Sequence, residues 1–265
     1  VGHGWERGAS MLALDLSGRV VLVTGGSRGV GRGIARAFLA AGATVVTCAR
    51  TAADPPTGAS HRICDVRDQA AVAALMDGIV AEHGHLDVLV NNAGGSPYAP
   101  AAEASARLHA RIVELNLLAP LLIGQAAQRV MGEYGAIVNV SSVSARRPSP
   151  GTAAYGAAKA GLDSLTRSLA VEWAPRIRVN AIDVGMVRTE EIDEHYGGPA
   201  GVEAIARTVP LGRLATPYDV GTAAVFLASD LASYITGATL ELHGGGEPPA
   251  YLTALDQLQR PKESQ

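Results

Sequence analysis

An apolar run, Arg19-Val20-Val21-Leu22-Val23, leads directly into Thr24-Gly25-Gly26-Ser27-Arg28-Gly29-Val30-Gly31, and helix-forming residues follow. The β-branched content of the run reads as a buried strand. Val30, Ile34 and Phe38 then recur four apart, the spacing of a helix's inner face. Glycines at 25, 29 and 31 keep the turn free of Cβ atoms, so its backbone can lie against a pyrophosphate. The following helix N-terminus offers unpaired N–H groups and positive potential to the same anion. Strand, glycine turn and helix in that order point to an α/β nucleotide-binding fold. The spacing Gly25-x-x-x-Gly29-x-Gly31 differs from the commoner G-x-G-x-x-G, and a tight turn without a ligand is the competing reading.

Composition sets the outer limits. With 265 residues, 48% hydrophobic and 18% charged, the chain can bury the core of a single α/β unit. A net charge of −3 gives no support to a nucleic-acid or membrane-surface role. No sequence run approaches the roughly 18 uninterrupted apolar residues of a membrane span. Cys48 and Cys64 lie in apolar runs that read as neighbouring strands, so we expect buried thiols and a reducing, cytoplasmic setting. Residues 1–10 lack an apolar signal core and read as a leader or appended tail. A single catalytic domain is expected over 11–246, with a substrate lid near 186–213 and a C-terminal extension over 247–265.

Thr44-Val45-Val46-Thr47-Cys48 is the second predicted strand, and Arg50 follows it where a dinucleotide fold presents the adenosine ribose. An acid there would bind both ribose hydroxyls; an arginine suits a 2′-phosphate, with Arg28 able to close on the same group. Both arginines could instead be solvated surface charges. Thr51 to Ser60 is too short and proline-broken for a crossover helix, so the third strand, around His61–Cys64, should be reached by a loop. Asp65 then stands where it can accept from an adenine amino group, or simply lies exposed. A helix over Ala71–His83 and a strand over Leu86–Val90 precede Asn91-Asn92-Ala93-Gly94-Gly95, small residues that admit a ligand. The spacing predicts one long helix over Ala106–Met131, with Leu108, Ile112, Leu115 and Leu122 on one stripe. Asn116 inside it is either satisfied locally or perturbs the helix and holds a water.

The chemistry concentrates between Ser142 and Lys159. A strand over Ala136–Val140 delivers Ser142 to the crevice, and a helix beginning after Thr152 places Tyr155 and Lys159 at i and i+4. A free phenol ionises near 10, too high for efficient proton exchange at neutral pH, and a neighbouring ammonium favours the phenolate. Tyr155 is therefore a candidate general acid/base and Ser142 a donor to a substrate oxygen. A core tyrosine and a surface lysine four apart by chance would show the same pattern. Arg146 and Arg147 read first as solvated loop charges, and alternatively as contacts to an anionic substrate group. A sixth strand over Ile177–Ile182, a helix over Pro217–Ala228 and a last strand over Ala238–Leu242 complete the reading.

Taken together, the chain from Leu14 to Gly246 resembles the classical short-chain dehydrogenase/reductase family. Thr24–Gly31 is similar to its TGxxxGxG turn, Asn91–Gly94 to its NNAG element, and Asn116, Ser142, Tyr155 and Lys159 to its catalytic tetrad. Ser142 stands thirteen residues before Tyr155, as that pattern has it. One departure is Asp183-Val184-Gly185, where the family usually carries Pro-Gly.

The resemblance implies a Rossmann-type, doubly wound α/β fold with a mainly parallel seven-stranded sheet and helices on both faces. It implies hydride transfer between a nicotinamide coenzyme and a ketone or secondary alcohol. NADP(H) is expected over NAD(H), and no metal. Tyr155 would exchange the proton, Ser142 orient the oxygen, Lys159 hold the ribose and Asn116 anchor a water. Coenzyme contacts would come from Gly25, Ser27, Arg28, Gly29, Val30 and Gly31 in the first turn. Others would come from Arg50, Asp65, Val66, Asn92, Ala93 and Gly94, from Tyr155 and Lys159, and from Gly185, Val187 and Thr189. The substrate is a small carbonyl or alcohol, with 3-oxoacyl thioesters of acyl carrier protein or CoA and hydroxysteroid-like molecules among the candidates. The family pairs its long helices across a two-fold axis, so a homotetramer, or failing that a dimer, is expected. An epimerase or dehydratase on the same scaffold, an NAD(H)-dependent relative, or a nucleotide-sensing protein without turnover are the alternatives.

Overall fold

In a computed structural model that describes residues 14–190 and 198–247, the predicted strands assemble into one sheet. They are β1 (Val20–Thr24), β2 (Thr44–Ala49), β3 (Ser60–Ile63), β4 (Leu86–Asn91), β5 (Met131–Ser142), β6 (Ile177–Val184) and β7 (Thr239–Leu242). Their order is β3-β2-β1-β4-β5-β6-β7, and every ladder is parallel. Parallel strands need cover on both faces, which is why β1 is buried along its whole length.

One face carries α1 (Gly29–Ala40) and α7 (Pro217–Ala228), packed on Val21, Val23, Val138 and Ile182. These two helices approach closely because glycine stands at the crossing. A Cβ on Gly33 would lie 2.3 Å from Pro217, and one on Gly221 would lie 2.6 Å from Ala37. The other face carries α2 (Gln69–His83), α4 (Ala119–Val130) and α5 (Ala153–Glu172) over Leu22, Val46, Leu89, Ile137 and Val179. Val72, Leu75, Met76 and Ile79 of α2 are buried, as their spacing requires. This helix starts two residues before the predicted Ala71 because the Asp68 carboxylate accepts from the N–H groups of Ala70 and Ala71. Between α6 (Pro199–Ala206) and β6, Val202, Val209 and Leu214 form a small third cluster with Met186. Part of the expected lid is thus a packed helix; residues 191–197 of it, and the extension from 248 onward, lie outside the described residues.

The long helix differs from its sequence reading. It runs as α3 (Ala106–Val113), one π-helical turn over Glu114–Leu118, and then α4. The wider turn rotates the inner face by one residue. Ile123 is therefore buried and Leu122 is not, and the single stripe through Leu108, Leu115 and Leu122 does not form. By length and apolar content the run Ala106–Val130 would suffice to cross a membrane, with a mean hydropathy of 1.2 in its best window. Here Ile112, Asn116, Ala119, Ile123 and Ala127 turn inward, which makes it a core helix of this fold.

Sheet order reverses at β1 and β4, so the crevice for a ligand opens beyond their C-terminal ends. The glycine turn follows β1 and the Asn-Asn-Ala-Gly segment follows β4, and the two therefore meet.

Candidate active site

At the switch point, Thr24 links the two loops. Its hydroxyl accepts from the N–H groups of Asn92 and Ala93, at 3.0 and 2.9 Å, and donates to Val90 O. The Asn92 amide donates to the carbonyls of Thr24 and Gly25, so Asn92 braces the glycine turn from below. Gly31 must be glycine, because a Cβ there would lie 2.2 Å from Gly25 O and 2.4 Å from the Asn92 amide. Gly29 has a left-handed φ of +51°, and a Cβ on it would meet only the Thr189 methyl, at 3.6 Å. What remains is a bare concave backbone at the N-terminus of α1, closed on one side by Thr189. That shape fits a pyrophosphate.

Around this cradle the expected contact residues fall on loop ends. Ser27, Arg28 and Val30 lie in or beside the turn. Arg50, exposed, follows β2 directly, and Val66 is buried beside Asp65. Gly185 and Val187 follow β6: the Gly185 N–H donates to Leu242 O, and Val187 bridges to Ala215. The chain after Asp183 thus continues the β6–β7 pairing without the family's proline. Asp65 is not a free acceptor. Arg67, two residues on, grips both its oxygens at 2.9 and 2.6 Å and holds its carboxyl below the usual carboxylate range, with Arg50 adding a smaller pull. The sequence reading missed that partner, although a two-residue separation made it legible.

Asn116 is fully buried in the π turn. Its amide donates to Ile112 O and Gly95 O, each at 2.9 Å, and its Oδ1 accepts from the Gly95 N–H at 2.9 Å. Both sequence readings are partly met: the side chain is satisfied locally and the helix is perturbed. Its protein partner across the crevice is the Gly94-Gly95 loop. A Cβ on Gly94 would lie 2.7 Å from Asn116 Oδ1 and 3.5 Å from Lys159 Nζ. Only glycine leaves that approach open.

Ser142 ends β5 and caps a short 3₁₀ turn, Val143–Ala145, its hydroxyl accepting from the Ser144 N–H at 3.2 Å. Tyr155 and Lys159 lie on the first two turns of α5, facing the crevice. Burial pushes the Tyr155 phenol up, and the nearby Ser142 hydroxyl offsets this only in part. The expected lowering by Lys159 is absent from this arrangement. Its ammonium donates to Val140 O at 2.7 Å and sits 5.6 Å from the centre of the phenol ring. Lys159 is itself desolvated, which brings it down to about 8 against an opposing pull from Asp163 and Asp183. Two groups short of water raise the cost of charge on both.

Sequence reasoning missed a polar layer beneath α5. Asn91 donates to Asn139 and Asn139 to Thr166, both at 2.9 Å, between β4, β5 and the helix. Beside it, Asp163 and Asp183 are buried, and one oxygen of each lacks a hydrogen-bond partner among the described residues. Burial raises Asp163 to about 6. Arg146 donates from Nε to Asp183 at 2.6 Å and from Nη1 to Glu241 at 2.6 Å, while Arg147 pairs with Glu247 at 2.5 Å. The two arginines are therefore partly exposed, as solvated charges would be, but each is ion-paired with acids from β6, β7 or the segment after it. Among the described residues no cluster of three His, Cys, Asp or Glu side chains is placed to hold a metal.

The arrangement sets a phenol, a hydroxyl and an ammonium beside a nucleotide cradle. A family model described as Enoyl-(Acyl carrier protein) reductase matches residues 25–247. The chain is a short-chain dehydrogenase/reductase. It is 44% identical to cis-4-hydroxycyclohexanecarboxylate dehydrogenase of Sinomonas cyclohexanicum, over 86% of this chain and 96% of that protein. D-threitol dehydrogenase of Mycolicibacterium smegmatis is 39% identical, over 87% and 93% of the two chains. Among solved structures, ligand-free aldohexose dehydrogenase of Thermoplasma acidophilum superposes with a TM-score of 0.81 at 32% identity, covering 93% of this chain and 96% of that one. Membership establishes a nicotinamide-dependent oxidoreductase of small organic molecules.

Proposed function

We propose that this short-chain dehydrogenase/reductase interconverts a secondary alcohol and a ketone, with Tyr155 moving the hydroxyl proton. The observation that carries the reading is the convergence of Ser142, Tyr155 and Lys159 on the crevice that the glycine turn opens into. A nicotinamide coenzyme bound there supplies or accepts the hydride. Ser142 donates to the substrate oxygen and stabilises its charge. Tyr155 takes the proton in oxidation and returns it in reduction. Lys159 holds the ribose edge, and Asn116 fixes the Gly94-Gly95 loop against it. The test is a panel of secondary alcohols and ketones followed by absorbance of the reduced coenzyme. An inactive panel with a coenzyme-binding protein would favour the nucleotide-sensing alternative.

The coenzyme reading is NADP(H) over NAD(H). Arg50 is exposed at the tip of β2, and no carboxylate occupies that position. A charge-assisted contact to a 2′-phosphate contributes about 1.5–3 kcal/mol. Arg50→Asp should therefore reverse the preference, lowering NADP(H) affinity by about tenfold or more. Fluorescence titration of both coenzymes checks this; tighter binding of NAD(H) by the unaltered protein would refute it.

Assembly as a homotetramer, or failing that a dimer, in the cytoplasm completes the reading. Leu118 on the π turn, and Val171, Leu231, Tyr234 and Leu240 toward the β7 edge, are exposed apolar side chains. Light scattering at micromolar concentration should report a multiple of the 27.2 kDa chain; a monomer rejects it.

A further inference from the structure

We infer that the substrate is selected to be uncharged and hydroxyl-bearing in its distal part, and that an otherwise equal carboxylate is disfavoured; this rests on the dehydrogenase reading above. The observation is a cavity of about 310 Å³ at the C-terminal ends of β5, β6 and β7. It reaches Val143, which adjoins Ser142, and Gly185, so it lies alongside the proposed reaction centre. Its charged wall is Arg146, Arg147, Asp183, Glu241 and Glu247, joined by His243.

Two guanidiniums face three carboxylates, a surplus of one negative charge among the described residues. Even a protonated His243 would only bring the wall to neutrality. Each guanidinium is already paired with a carboxylate. Arg146 is bonded to Asp183 and Glu241, each at 2.6 Å, and Arg147 Nη1 to Glu247 Oε2 at 2.6 Å. His243 Nε2 faces Glu241 Oε2 at 2.9 Å.

An incoming carboxylate can reach only the N–H groups that these pairs leave over. The guanidiniums it meets there are already paired with Asp183, Glu241 and Glu247, and those acids stay close to the new one. That residual repulsion, which a neutral group does not meet, is what discriminates. A hydroxyl donates to a carboxylate and accepts from a guanidinium at once, and so uses the wall as it stands.

The test compares two cyclohexanols that differ only across the ring, one bearing a carboxylate and the other a hydroxymethyl group. Each is run as a substrate or, where neither turns over, as a competitive inhibitor of the alcohol oxidation that the panel establishes. The hydroxymethyl compound should be favoured by about tenfold in kcat/KM or in inhibition constant. Glu247→Gln, which removes one carboxylate and frees Arg147, should move the ratio toward the carboxylate. Equal or better use of the carboxylate by the unaltered enzyme overturns the inference. So does a ratio that Glu247→Gln leaves unmoved. If no secondary alcohol at all is oxidised, the dehydrogenase reading fails first and takes this inference with it.

Discussion

Tyr155→Phe should lower kcat for alcohol oxidation by about 10²–10⁴-fold, the usual worth of a general acid–base group, while coenzyme binding is retained. The phenol ring stays to fill its place on α5, so the loss isolates the hydroxyl. Burial raises the phenol, which makes the demand on its surroundings larger than the sequence suggests. Lys159 does not meet that demand from its position against Val140 O. The positive ring of an oxidised nicotinamide is the further cation the family chemistry brings. Oxidation should accordingly speed up with pH as the phenol gives up its proton. Coenzyme affinity should move the other way. Lys159 stands at about 8, so its ammonium is present below that pH and is lost above it. Titrations at pH values on either side should show weaker binding on the alkaline side, and Lys159→Ala should abolish the difference. Near-normal turnover by Tyr155→Phe would remove the proton-transfer role from Tyr155 and the supporting role from Ser142.

The features that the sequence disclosed were local ones. Strand runs such as Val20–Thr24 are continuous and apolar because both faces are covered, and the helix carrying Tyr155 and Lys159 announces itself by spacing. The absence of a helix between β2 and β3 followed from Pro55, Pro56 and the shortness of the link. What stayed hidden depends on partners far along the chain. The π turn at Glu114–Leu118 has no composition of its own; it becomes visible through Asn116 bonding to Gly95, twenty-one residues earlier. Arg146 and Asp183 are 37 residues apart, and Arg147 and Glu247 are 100 apart, so neither pair has a sequence signature. What the sequence could not show is that these partly exposed arginines pair with acids assembled by the sheet, with Asp183 opposite Ser141 in the β5–β6 register.

That wall makes an asymmetric prediction about stability. Asp183 is fully buried, and Arg146 is half-exposed. Removing the arginine leaves a carboxylate without water and without its only hydrogen-bond donor among the described residues, where its Oδ1 already has none. Breaking a buried pair from that side costs about 3–5 kcal/mol. Removing the acid instead leaves a guanidinium that solvent and Glu241 can still serve. Arg146→Ala should therefore destabilise by several kcal/mol, whereas Asp183→Asn should cost about 1 kcal/mol or less. The double variant should be more stable than Arg146→Ala alone, because the orphaned charge is gone. Urea unfolding at fixed protein concentration measures all four species. Equal losses from the two single variants would mean that the pair is solvated after all, and the asymmetry argued from the burial of Asp183 would fall with it.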